Sequence, residues 1–359
     1  TRGDFIVICD ADTRLLPTIL TRTLGYFRDP DVAIVQTPQW FYDLPEGKRL
    51  RDAWGKAAGP VGRWAGGAIE KVVGEIRVGQ DPFANDPAMF YDVIQRRRNP
   101  WNAAFCCGAA SIHRREAVMF VALRAYARAI AGETRATRQK LLNLVQRRAP
   151  DPENEALARW QAAQEQELTP YKFHVSEDIY STIVLHQDTE RNWKTVLSPY
   201  VESKMLSPQD LLAWTIQRFK YAGGSLDIFF HDNPVLKPGL TMGQRVMYLA
   251  TFWSYFAALW NVVFLTAPIV YMVTGIAPVS AYTADFFALA LPFLVFNELA
   301  FMVGTWGMSG FKGKVTYLAS FPISLRALWA VALGKKISFP VTPKERQDGT
   351  HLNLVWPQL

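Results

Sequence analysis

The distribution of apolar and polar residues changes near Arg245 and divides the chain into two parts. Before about residue 235, short apolar runs alternate with polar segments, as in an α/β domain. After it, residues 246–275 and 284–306 are almost uncharged and rich in aromatic residues. Each stretch reaches the roughly 20 apolar residues that cross a bilayer. The pattern predicts a globular domain over residues 1–235 and two transmembrane helices within 246–306; a buried helical hairpin in a soluble core is the alternative.

Charged residues beside the two apolar stretches predict their orientation. The connector 276–283 carries no Lys or Arg, whereas Lys237 and Arg245 precede the first stretch and Lys312 and Lys314 follow the second. Because short cytoplasmic loops are enriched in Lys and Arg, both flanks are predicted to face the cytoplasm. The globular domain is therefore expected on the cytoplasmic side.

Two features near these helices are less regular. Residues 315–334 form a third apolar stretch, but Pro322 and Arg326 interrupt it, which favours an amphipathic helix at the cytoplasmic membrane surface over a span. Residues 335–359 follow this interface helix. Glu298 lies within the second apolar stretch, where an ionisable group is costly. It either faces protein or a polar channel, or makes a hydrogen bond between packed helices.

Within the globular domain, apolar runs predict a buried strand at residues 4–10 and another at 31–36, with a helix over 17–27 between them. This order implies a parallel sheet with its ligand site at the carboxyl ends of the strands.

Residues 118–170 are rich in Ala, Arg and Glu, which predicts a helical insertion with a solvated face or a surface for lipid or a partner. Residues 44–86 are Gly-rich and give no clear pattern.

The bulk composition narrows the class of protein. Half of the 359 residues are apolar, which suffices for a sizeable core. The net charge of +7 is not organised into the motifs of nucleic-acid binders, so membrane lipid and nucleotide phosphates are the expected partners. Cys9, Cys106 and Cys107 lack the spacing of a metal or redox site, which predicts small buried residues in a reducing compartment. The chain opens with Thr1 just before an apolar run, and we expect it to be a fragment.

Two aspartates follow the first predicted strand directly, in the sequence Asp10-Ala11-Asp12. A strand end can fix two carboxylates at the mouth of a sheet, where they would hold Mg²⁺ or Mn²⁺, cations that favour carboxylate and phosphate oxygens. Such a cation would neutralise a nucleotide diphosphate as it leaves. Two aspartates at this spacing also occur in ordinary loops, and that alternative stays open.

A second pair of carboxylates lies in Ser176-Glu177-Asp178, ahead of an apolar-periodic segment. Ser176 is a candidate helix N-cap, which would place Glu177 and Asp178 in the first turn, where the helix dipole favours negative charge. One interpretation is that these carboxylates serve the helix end. The other is that they are catalytic, with Asp178 as the general base that takes a proton from an acceptor sugar hydroxyl.

A further helix is predicted to begin at Ser207-Pro208, with Ser207 as its N-cap. Gln217, Lys220 and Tyr221 then lie close together on its surface, with Arg218 beside them. An amide, a cation and an aromatic ring on one surface suit sugar hydroxyls, pyrophosphate charge and a sugar face respectively. A surface helix with a half-buried Tyr is the alternative.

The order of these motifs resembles that of the processive family-2 glycosyltransferases, and in particular of the catalytic subunits of bacterial cellulose synthase. The matching segments are Asp10-Ala11-Asp12 for D-x-D, Gln36-Thr37-Pro38 for Q-T-P, Phe105-Cys106-Cys107-Gly108 for F-F-C-G, Ser176-Glu177-Asp178 for T-E-D, residues 217–221 for Q-x-x-R-W, and residues 339–344 for F-x-V-T-x-K. The last match is the most specific, because other family-2 enzymes lack that segment.

The resemblance implies a GT-A-like α/β fold and the transfer of glucose, with inversion, from UDP-glucose to a growing β-glucan. It assigns Asp12 and Asp10 to the metal, and Asp178 and Glu177 to catalysis. The implied nucleotide-binding residues are Asp10, Gln217, Arg218, Lys220, Phe339, Thr342 and Lys344. The implied acceptor-binding residues are Tyr221, Phe105, Cys107 and Gly108. Residues 335–359 are a gating-loop segment, in which residues 339–344 correspond to the loop that closes over the nucleotide.

The resemblance also implies features outside this sequence. These are the first nucleotide-binding strands, further membrane spans, a periplasmic export partner and a carboxyl-terminal domain that binds cyclic diguanylate. It further implies a multi-pass protein of the bacterial inner membrane with its catalytic domain in the cytoplasm.

Two positions depart from the family pattern. Lys220 replaces an Arg and keeps the charge without the bidentate fork, and Tyr221 replaces a Trp, so that a smaller ring faces the acceptor. The product is therefore open between cellulose and a related β-1,3 or mixed-linkage glucan. Two other functions are a non-processive transferase that acts on a lipid carrier and an inactive membrane scaffold. The altered Lys220 and Tyr221 favour the scaffold, and the two retained carboxylate motifs oppose it.

Overall fold

A computed structural model describes residues 2–45, 47–79, 86–144, 156, 159–160, 163, 171, 174–276, 284–305, 308, 310–335, 343, 345, 349 and 351–355. Its strands are β1 (Phe5–Ile8), β2 (Arg14–Leu15), β3 (Val32–Gln36), β4 (Gln39–Phe41), β5 (Lys48–Arg49), β6 (Arg77–Val78), β7 (Ser111–Arg114), β8 (Lys194–Leu197) and β9 (Ser203–Met205). Its helices are α1 (Ile19–Thr23), α2 (Leu50–Val73), α3 (Arg96–Arg98), α4 (Arg115–Leu144), α5 (Glu177–His186), α6 (Leu211–His231), α7 (Met242–Thr274), α8 (Ala284–Gly304), α9 (Phe311–Ala332) and α10 (Leu352–Val355). A π-helix covers Met89–Gln95, and short 3-10 turns cover Leu24–Arg28, Asn99–Trp101 and Pro234–Leu236.

The main sheet has the strand order β1-β7-β3-β8. Strands β3 and β8 are parallel, whereas β7 lies antiparallel between β1 and β3. The N–H of Ala110, just before β7, donates to the carbonyl of Ile8 at the end of β1, and the N–H of Thr37, just after β3, donates to the carbonyl of Ala110. The chain thus enters β7 at the carboxyl ends of β1 and β3 and must run in the opposite direction. The predicted α/β class is confirmed, and the sheet is mixed rather than wholly parallel.

Strand β3 forms the centre of the core because it has a neighbour on each side. All of its residues are buried, and Ile34 packs in one cluster with Trp193 while Val35 packs in another with Ile112. Strand β1 differs from the predicted buried strand: β7 is its only partner in the described structure, and alternate side chains of β1 are exposed.

The cysteines only partly follow the prediction of small buried residues. Cys106 is buried and Cys107 partly buried, but Cys9 is exposed, because it follows the edge strand β1 rather than a strand inside the sheet. The prediction was therefore wrong for Cys9. All three are free thiols.

The Gly-rich segment 44–86 contains a helix between two short strands. Strands β5 and β6 pair with each other at the two ends of α2, and a second small sheet has the order β2-β9-β4. Helix α2 bends at Ala58 and Gly59, directly before Pro60, where a proline cannot continue the helical hydrogen bonding.

Helix α4 follows β7 without a break and includes the first part of the Ala-rich segment 118–170. An ion pair and hydrogen bond from Arg124 to Asp188 ties this helix to the domain, and Asp188 also accepts from the Trp193 indole at 3.0 Å. Most residues of the segment beyond 144 lie outside the described residues.

The beginnings of α5 and α6 position the two motifs of greatest interest. Ser176 occupies the N-cap position of α5, although its hydroxyl makes no capping hydrogen bond. Helix α6 begins at Leu211, where Asp210 caps it by accepting from the N–H of Ala213 at 2.7 Å. The prediction that Ser207 caps this helix is wrong, because its hydroxyl donates instead to the carboxylate of Asp43 at 2.7 Å.

In the described part of the chain, α7, α8 and residues 312–332 of α9 are long and apolar enough to cross a membrane. The first two match the predicted spans. Helix α9 corresponds to the predicted interface helix, and its length and composition also allow a third span. About a third of its most apolar stretch is buried, with Ala327 and Val331 packed against Ala222 and Leu226 of α6.

Glu298, the charged residue within α8, forms an ion pair with Lys314 of α9. The Lys314 ammonium also lies 4.6 Å from the centre of the Phe301 ring on α8. The carboxylate therefore serves a contact between two helices, as one of the two predicted alternatives requires.

Candidate active site

Asp178 lies in the first turn of α5 and is half-buried. Burial raises the pKa of its carboxyl to about 7; repulsion from Glu177 and Asp10 adds to the rise, and the Lys220 cation opposes it. These influences show that a carboxylate after β1, the start of α5 and a cation of α6 share one site. A carboxyl that titrates near neutral pH has the property expected of a general base.

Gly108 makes a close backbone approach to the Asp178 carboxylate. Its φ is +87°, and a Cβ at this position would lie 3.0 Å from Oδ2 of Asp178. This backbone conformation strongly favours glycine, and a larger residue would also press on the Asp178 carboxylate. The last residue of the F-C-C-G segment therefore forms a wall of the site.

Two glutamines hold the loop that contains Gly108. The Oε1 atom of Gln36 accepts from the N–H of Cys107 at 2.7 Å, and its Nε2 donates to the carbonyl of Ala109 at 3.2 Å. Gln39 donates from Nε2 to the carbonyl of Cys107 at 3.2 Å. Gln36 is almost fully buried. The Q-T-P segment thus acts by fixing the loop beside the Asp178 carboxylate.

A third glutamine, Gln95 at the end of the π-helix, holds the start of the same loop. Its amide accepts from the N–H of Phe105 at 3.2 Å and donates to the carbonyl of Phe105 at 3.3 Å and the Cys107 sulfur at 3.2 Å. Sequence reasoning missed Gln95, because a polar residue before a run of arginines gives no sign of burial. The helix of unusual pitch that carries it is typical of functional sites.

The two adjacent cysteines are structural rather than reactive. The hydroxyl of Thr182 on α5 accepts from the N–H of Cys106 at 3.0 Å and donates to the carbonyl of Asp178 at 2.9 Å, which joins the loop to the helix. Burial raises the pKa of the Cys106 thiol to about 12 and also raises the pKa of the Cys107 thiol. Both thiols are therefore protonated at neutral pH and are not nucleophiles.

Two of the predicted residues on α6, Lys220 and Tyr221, lie near Asp178. Lys220 lowers the pKa of the Asp178 carboxyl, which places its cation close to that group. Tyr221 is 41% exposed. Burial of its remaining surface raises the pKa of the Tyr221 phenol; the Arg218 cation opposes the rise, and the charge of Asp178 adds to it. The Oε1 atom of Gln217 is buried and accepts no hydrogen bond from the described residues.

Arg218, also predicted to bind the nucleotide, is associated with aromatic residues. Its guanidinium lies 5.7 Å from the centre of the Trp214 ring and interacts electrostatically with Tyr221 and with Tyr255 of α7. The described contacts therefore connect Arg218 with the packing between α6 and α7.

Asp10 and Asp12 lie in a turn directly after β1, closed by a hydrogen bond from the N–H of Thr13 to the carbonyl of Asp10 at 3.0 Å. Asp10 is exposed, and Asp12 is partly buried. The described residues contain no cluster of three or more His, Cys, Asp or Glu side chains placed for a metal ion. Mg²⁺ commonly takes one or two carboxylates together with substrate phosphates and water. The two aspartates fit a cation that binds together with a nucleotide.

Gly224 of α6 is a further residue that sequence reasoning missed. A Cβ at Gly224 would lie 1.9 Å from Oγ and 2.9 Å from Cβ of Ser176, so only glycine lets α6 approach the start of α5 this closely. The signal in the sequence is the pair Gly223-Gly224 inside an otherwise apolar helix, where glycine is destabilising unless it serves close packing. Phe339, Thr342 and Lys344 of the predicted gating loop lie outside the described residues.

Comparison with known proteins finds similarity to glycosyltransferases. A family model described as glycosyl transferase family group 2 matches residues 147–297. This range includes α5, α6 and α7, with the segments Ser176-Glu177-Asp178 and 217–221, and it excludes Asp10 and Asp12.

The relatives are bacterial cellulose synthases. The chain is 26% identical over 300 residues to the cellulose synthase catalytic subunit [UDP-forming] of Pseudomonas fluorescens, covering 83% of this chain and 30% of that protein. It is 26% identical over 301 residues to the corresponding subunit of Komagataeibacter sucrofermentans, with 84% and 30% covered. Cellulose synthase 2 of Novacetimonas hansenii is 24% identical over 367 residues, which cover all of this chain and 18% of that protein. The chain therefore spans less than a third of the length of these relatives. The predicted resemblance is confirmed: residues 147–297 match the family-2 glycosyltransferase model, and the chain is similar over most of its length to bacterial cellulose synthase catalytic subunits.

Proposed function

We propose that this chain is the central part of a membrane-embedded, inverting glucosyltransferase that extends a β-glucan from UDP-glucose. The observation that carries the proposal is the environment of Asp178, where burial and neighbouring carboxylates raise the pKa of the carboxyl to about 7 beside the Lys220 cation. The substrate is proposed from the relatives, whose names specify cellulose synthesis with release of UDP. The apolar helices α7 and α8 support a location in a membrane. The inner membrane is proposed from the relatives, and a cytoplasmic catalytic domain is proposed from the Lys and Arg residues that flank the two helices.

In this mechanism Asp178 removes a proton from a hydroxyl group of the terminal acceptor sugar. The hydroxyl oxygen forms a bond to the anomeric carbon of glucose, the bond from that carbon to the diphosphate oxygen breaks, and UDP leaves with the bonding electrons. Attack from the side opposite the leaving group inverts the anomeric centre. The Gly108 backbone confines the carboxylate on one side, so that its oxygens remain directed to the site.

The leaving diphosphate needs positive charge. Lys220 provides one cation near Asp178. Asp10 and Asp12 would hold Mg²⁺ or Mn²⁺, which, when bound, supplies charge neutralisation to the departing diphosphate. Thr342 and Lys344, together with Phe339, are proposed to complete the nucleotide site from the gating loop.

The acceptor is proposed to lie against Tyr221, with Gln217 as a hydrogen-bonding partner and the loop of Phe105, Cys107 and Gly108 on the other side. The half-exposed ring of Tyr221 suits stacking on a sugar face. Because this ring is smaller than the indole of the family pattern, the terminal sugar can present its 3-hydroxyl as well as its 4-hydroxyl. We therefore propose a glucan that contains β-1,3 linkages beside or in place of β-1,4 linkages.

The test uses the full-length protein in inverted membrane vesicles with radiolabelled UDP-glucose and Mg²⁺. Asp178→Asn keeps the shape of the side chain and removes its basicity, so polymer synthesis should fall by roughly 10² or more while UDP binding persists. Excess chelator should abolish synthesis by the wild type. Normal synthesis by the variant would exclude Asp178 as the base, and wild-type product that contains only 4-linked glucose would refute the proposed linkage.

A further inference from the structure

His174, two residues before Ser176, makes two hydrogen bonds that fix its tautomer. Its Nδ1 accepts from the backbone N–H of Ser176 at 3.0 Å, and its Nε2 lies 2.8 Å from Oδ2 of Asp227. Because an amide N–H can only donate, Nδ1 carries no proton, and Nε2 donates its proton to Asp227. The side chain of His174 is only 14% exposed, so the orientation of its ring is held by protein rather than by water.

Asp227 belongs to α6, the helix that also presents Gln217 and Tyr221. Its other carboxylate oxygen lies 2.8 Å from Nδ1 of His231, one turn further along the same helix. His231 is 58% exposed and has no described hydrogen bond to α5. Asp227 thus bridges two histidines. Of these two, His174 is the one that connects Asp227 with Ser176 at the start of α5.

Other groups enclose the imidazole of His174. The ring of Tyr180 meets it edge to face at a distance of 5.1 Å between ring centres. The hydroxyl of Tyr180 donates to Asp232, which also pairs with Lys237. The ring of Tyr180 contacts His174 and its hydroxyl is bound by Asp232, so the side chain is fixed and restricts rotation of the imidazole.

Helix α6 therefore contacts the beginning of α5 at two points on one side. Gly224 admits the side chain of Ser176, and Asp227, three residues later, holds His174. The backbone of Ser176 directly precedes the turn that carries Asp178.

We propose that His174 and Asp227 are positioning residues that hold the Ser176 amide and thereby fix the first turn of α5, so that Asp178 keeps its place relative to the acceptor-binding face of α6. The catalytic part of this inference rests on the proposed function of Asp178. Because Asp227 and Tyr221 lie on one helix, the hydrogen bonds of His174 connect Asp178 to the same rigid element that carries Tyr221, the residue proposed to bind the acceptor. A displacement of about 1 Å in such a site can reduce turnover by roughly 10²-fold.

Four variants separate the two hydrogen bonds of His174. His174→Asn places an amide oxygen near the position of Nδ1 and retains an acceptor for the Ser176 N–H. His174→Gln places its amide near Nε2, so that it keeps a donor for Asp227 and loses that acceptor. Asp227→Ala removes the group that orients the imidazole. His231→Asn is the matched control, because it alters the other histidine on Asp227.

The first measurement is steady-state transfer from UDP-glucose by the full-length protein in membrane vesicles. We expect His174→Gln and Asp227→Ala to lower kcat by roughly tenfold or more while KM for UDP-glucose stays within about twofold, since the base is displaced and donor contacts are kept. His174→Asn should recover most of the lost kcat, and His231→Asn should match the wild type. Equal loss in His174→Asn and His174→Gln would overturn the assigned role of the Nδ1 acceptor.

The second measurement, backbone amide exchange, does not depend on the reaction. In His174→Gln and Asp227→Ala, exchange of the Ser176 amide should quicken by roughly tenfold, the effect of one lost hydrogen bond of about 1.4 kcal/mol. Unchanged exchange in His174→Gln would overturn the proposal. Faster exchange with unchanged kcat would overturn its catalytic part. If the wild type transfers no glucose but exchange responds as expected, the anchoring of α5 is supported and only the proposed function fails.

Discussion

At the scale of single residues, the proposed catalytic role of Asp178 opposes the stability of the fold. Its carboxyl is half-buried near Glu177 and Asp10, and these surroundings raise its pKa to about 7. The folded protein therefore resists the ionised form that a general base requires. The difference from the ordinary value of 3.8 corresponds to roughly 4 kcal/mol as an upper limit, reduced by the solvent contact that the residue retains.

Asp178→Asn should consequently stabilise the protein while it removes activity. With a raised pKa, the stability contributed by the protonated carboxyl is complete below pH 3.8 and is lost as the pH rises through about 7. At pH 8, without nucleotide or divalent cation, we expect the variant to melt at a higher temperature than the wild type. At pH 4 the difference should nearly vanish. Thermal unfolding of the detergent-solubilised protein at several pH values measures this.

The control for this prediction is Glu177→Gln, which changes the exposed neighbouring carboxylate in the same helical turn. It should alter melting at pH 8 less than Asp178→Asn does. A variant Asp178→Asn that melts below the wild type at pH 8 would contradict the account, because it would show that the ionised carboxylate is stabilised by its surroundings.

Residues whose chemistry defines a motif were predictable, and residues that support them were not. Asp178, Gly108 and Lys220 were placed in one site from motif order, and the structure brings these three together. The cap at Ser207 was predicted wrongly because the local sequence offers more than one possible N-cap residue. Asp43, distant in sequence, accepts from the Ser207 hydroxyl and so takes it away from the helix start. His174 was missed for the same reason, since its partner Asp227 comes from another helix.

At the scale of elements, α6 organises the site. It carries Gln217, Lys220 and Tyr221, which are proposed to bind the substrates. Gly224 and Asp227 contact the start of α5, and Ala222 and Leu226 pack against α9. One helix therefore connects the proposed acceptor-binding residues, the proposed base and the apolar part of the molecule. A small shift of α6 is expected to disturb all three.

Gly224→Ala tests this role of α6. The added Cβ would overlap Oγ and Cβ of Ser176, so α6 must move away from α5 or Ser176 must change its rotamer. We expect the melting temperature to fall, because the substitution should lower the free energy of unfolding by roughly 1–3 kcal/mol. We also expect kcat to fall by a larger factor than the change in KM for UDP-glucose. Gly25→Ala is the matched control, because nothing lies within 4 Å of a Cβ there. Wild-type stability and turnover in Gly224→Ala would show that the close approach has no importance.

Helices marked by a long apolar run were predicted well, and the pairing of strands was not. The helices α7 and α8 begin and end within a few residues of the predicted apolar stretches, because bilayer-length apolar runs have few other solutions. Strand β7 was missed, since its residues Ser111–Arg114 alternate weakly and its place between β1 and β3 depends on contacts distant in sequence. The order of two strands and a helix therefore suggested a parallel sheet where an antiparallel strand intervenes.

At the scale of the whole molecule, the path of the chain after α8 decides whether the proposed gating loop can act. If α7 and α8 form a transmembrane hairpin, Gly310 lies on the cytoplasmic side with the catalytic domain. Helix α9 then either stays on that surface or crosses the membrane. Its buried residues contact α6 and its Arg326 is exposed, an arrangement that suits a helix lying between catalytic domain and lipid. Only in that case do residues 339–344 reach the nucleotide.

Single introduced cysteines distinguish the two paths. In a background with Cys9→Ser, which removes the exposed native thiol, we expect Lys335→Cys and Leu236→Cys to react with a membrane-impermeant thiol reagent only in inverted vesicles. Ile276→Cys, at the exposed end of α7, should react only in right-side-out vesicles and serves as the control for the hairpin. The reason is that α7 and α8 each cross the membrane once, whereas α9 stays on the cytoplasmic surface. Residues on either side of α9 therefore remain in the cytoplasm. Reaction of Lys335→Cys from the outside would make α9 a third span and place Lys344 across the membrane from UDP. The proposed roles of Phe339, Thr342 and Lys344 would then be wrong, although the site around Asp178 would be unaffected.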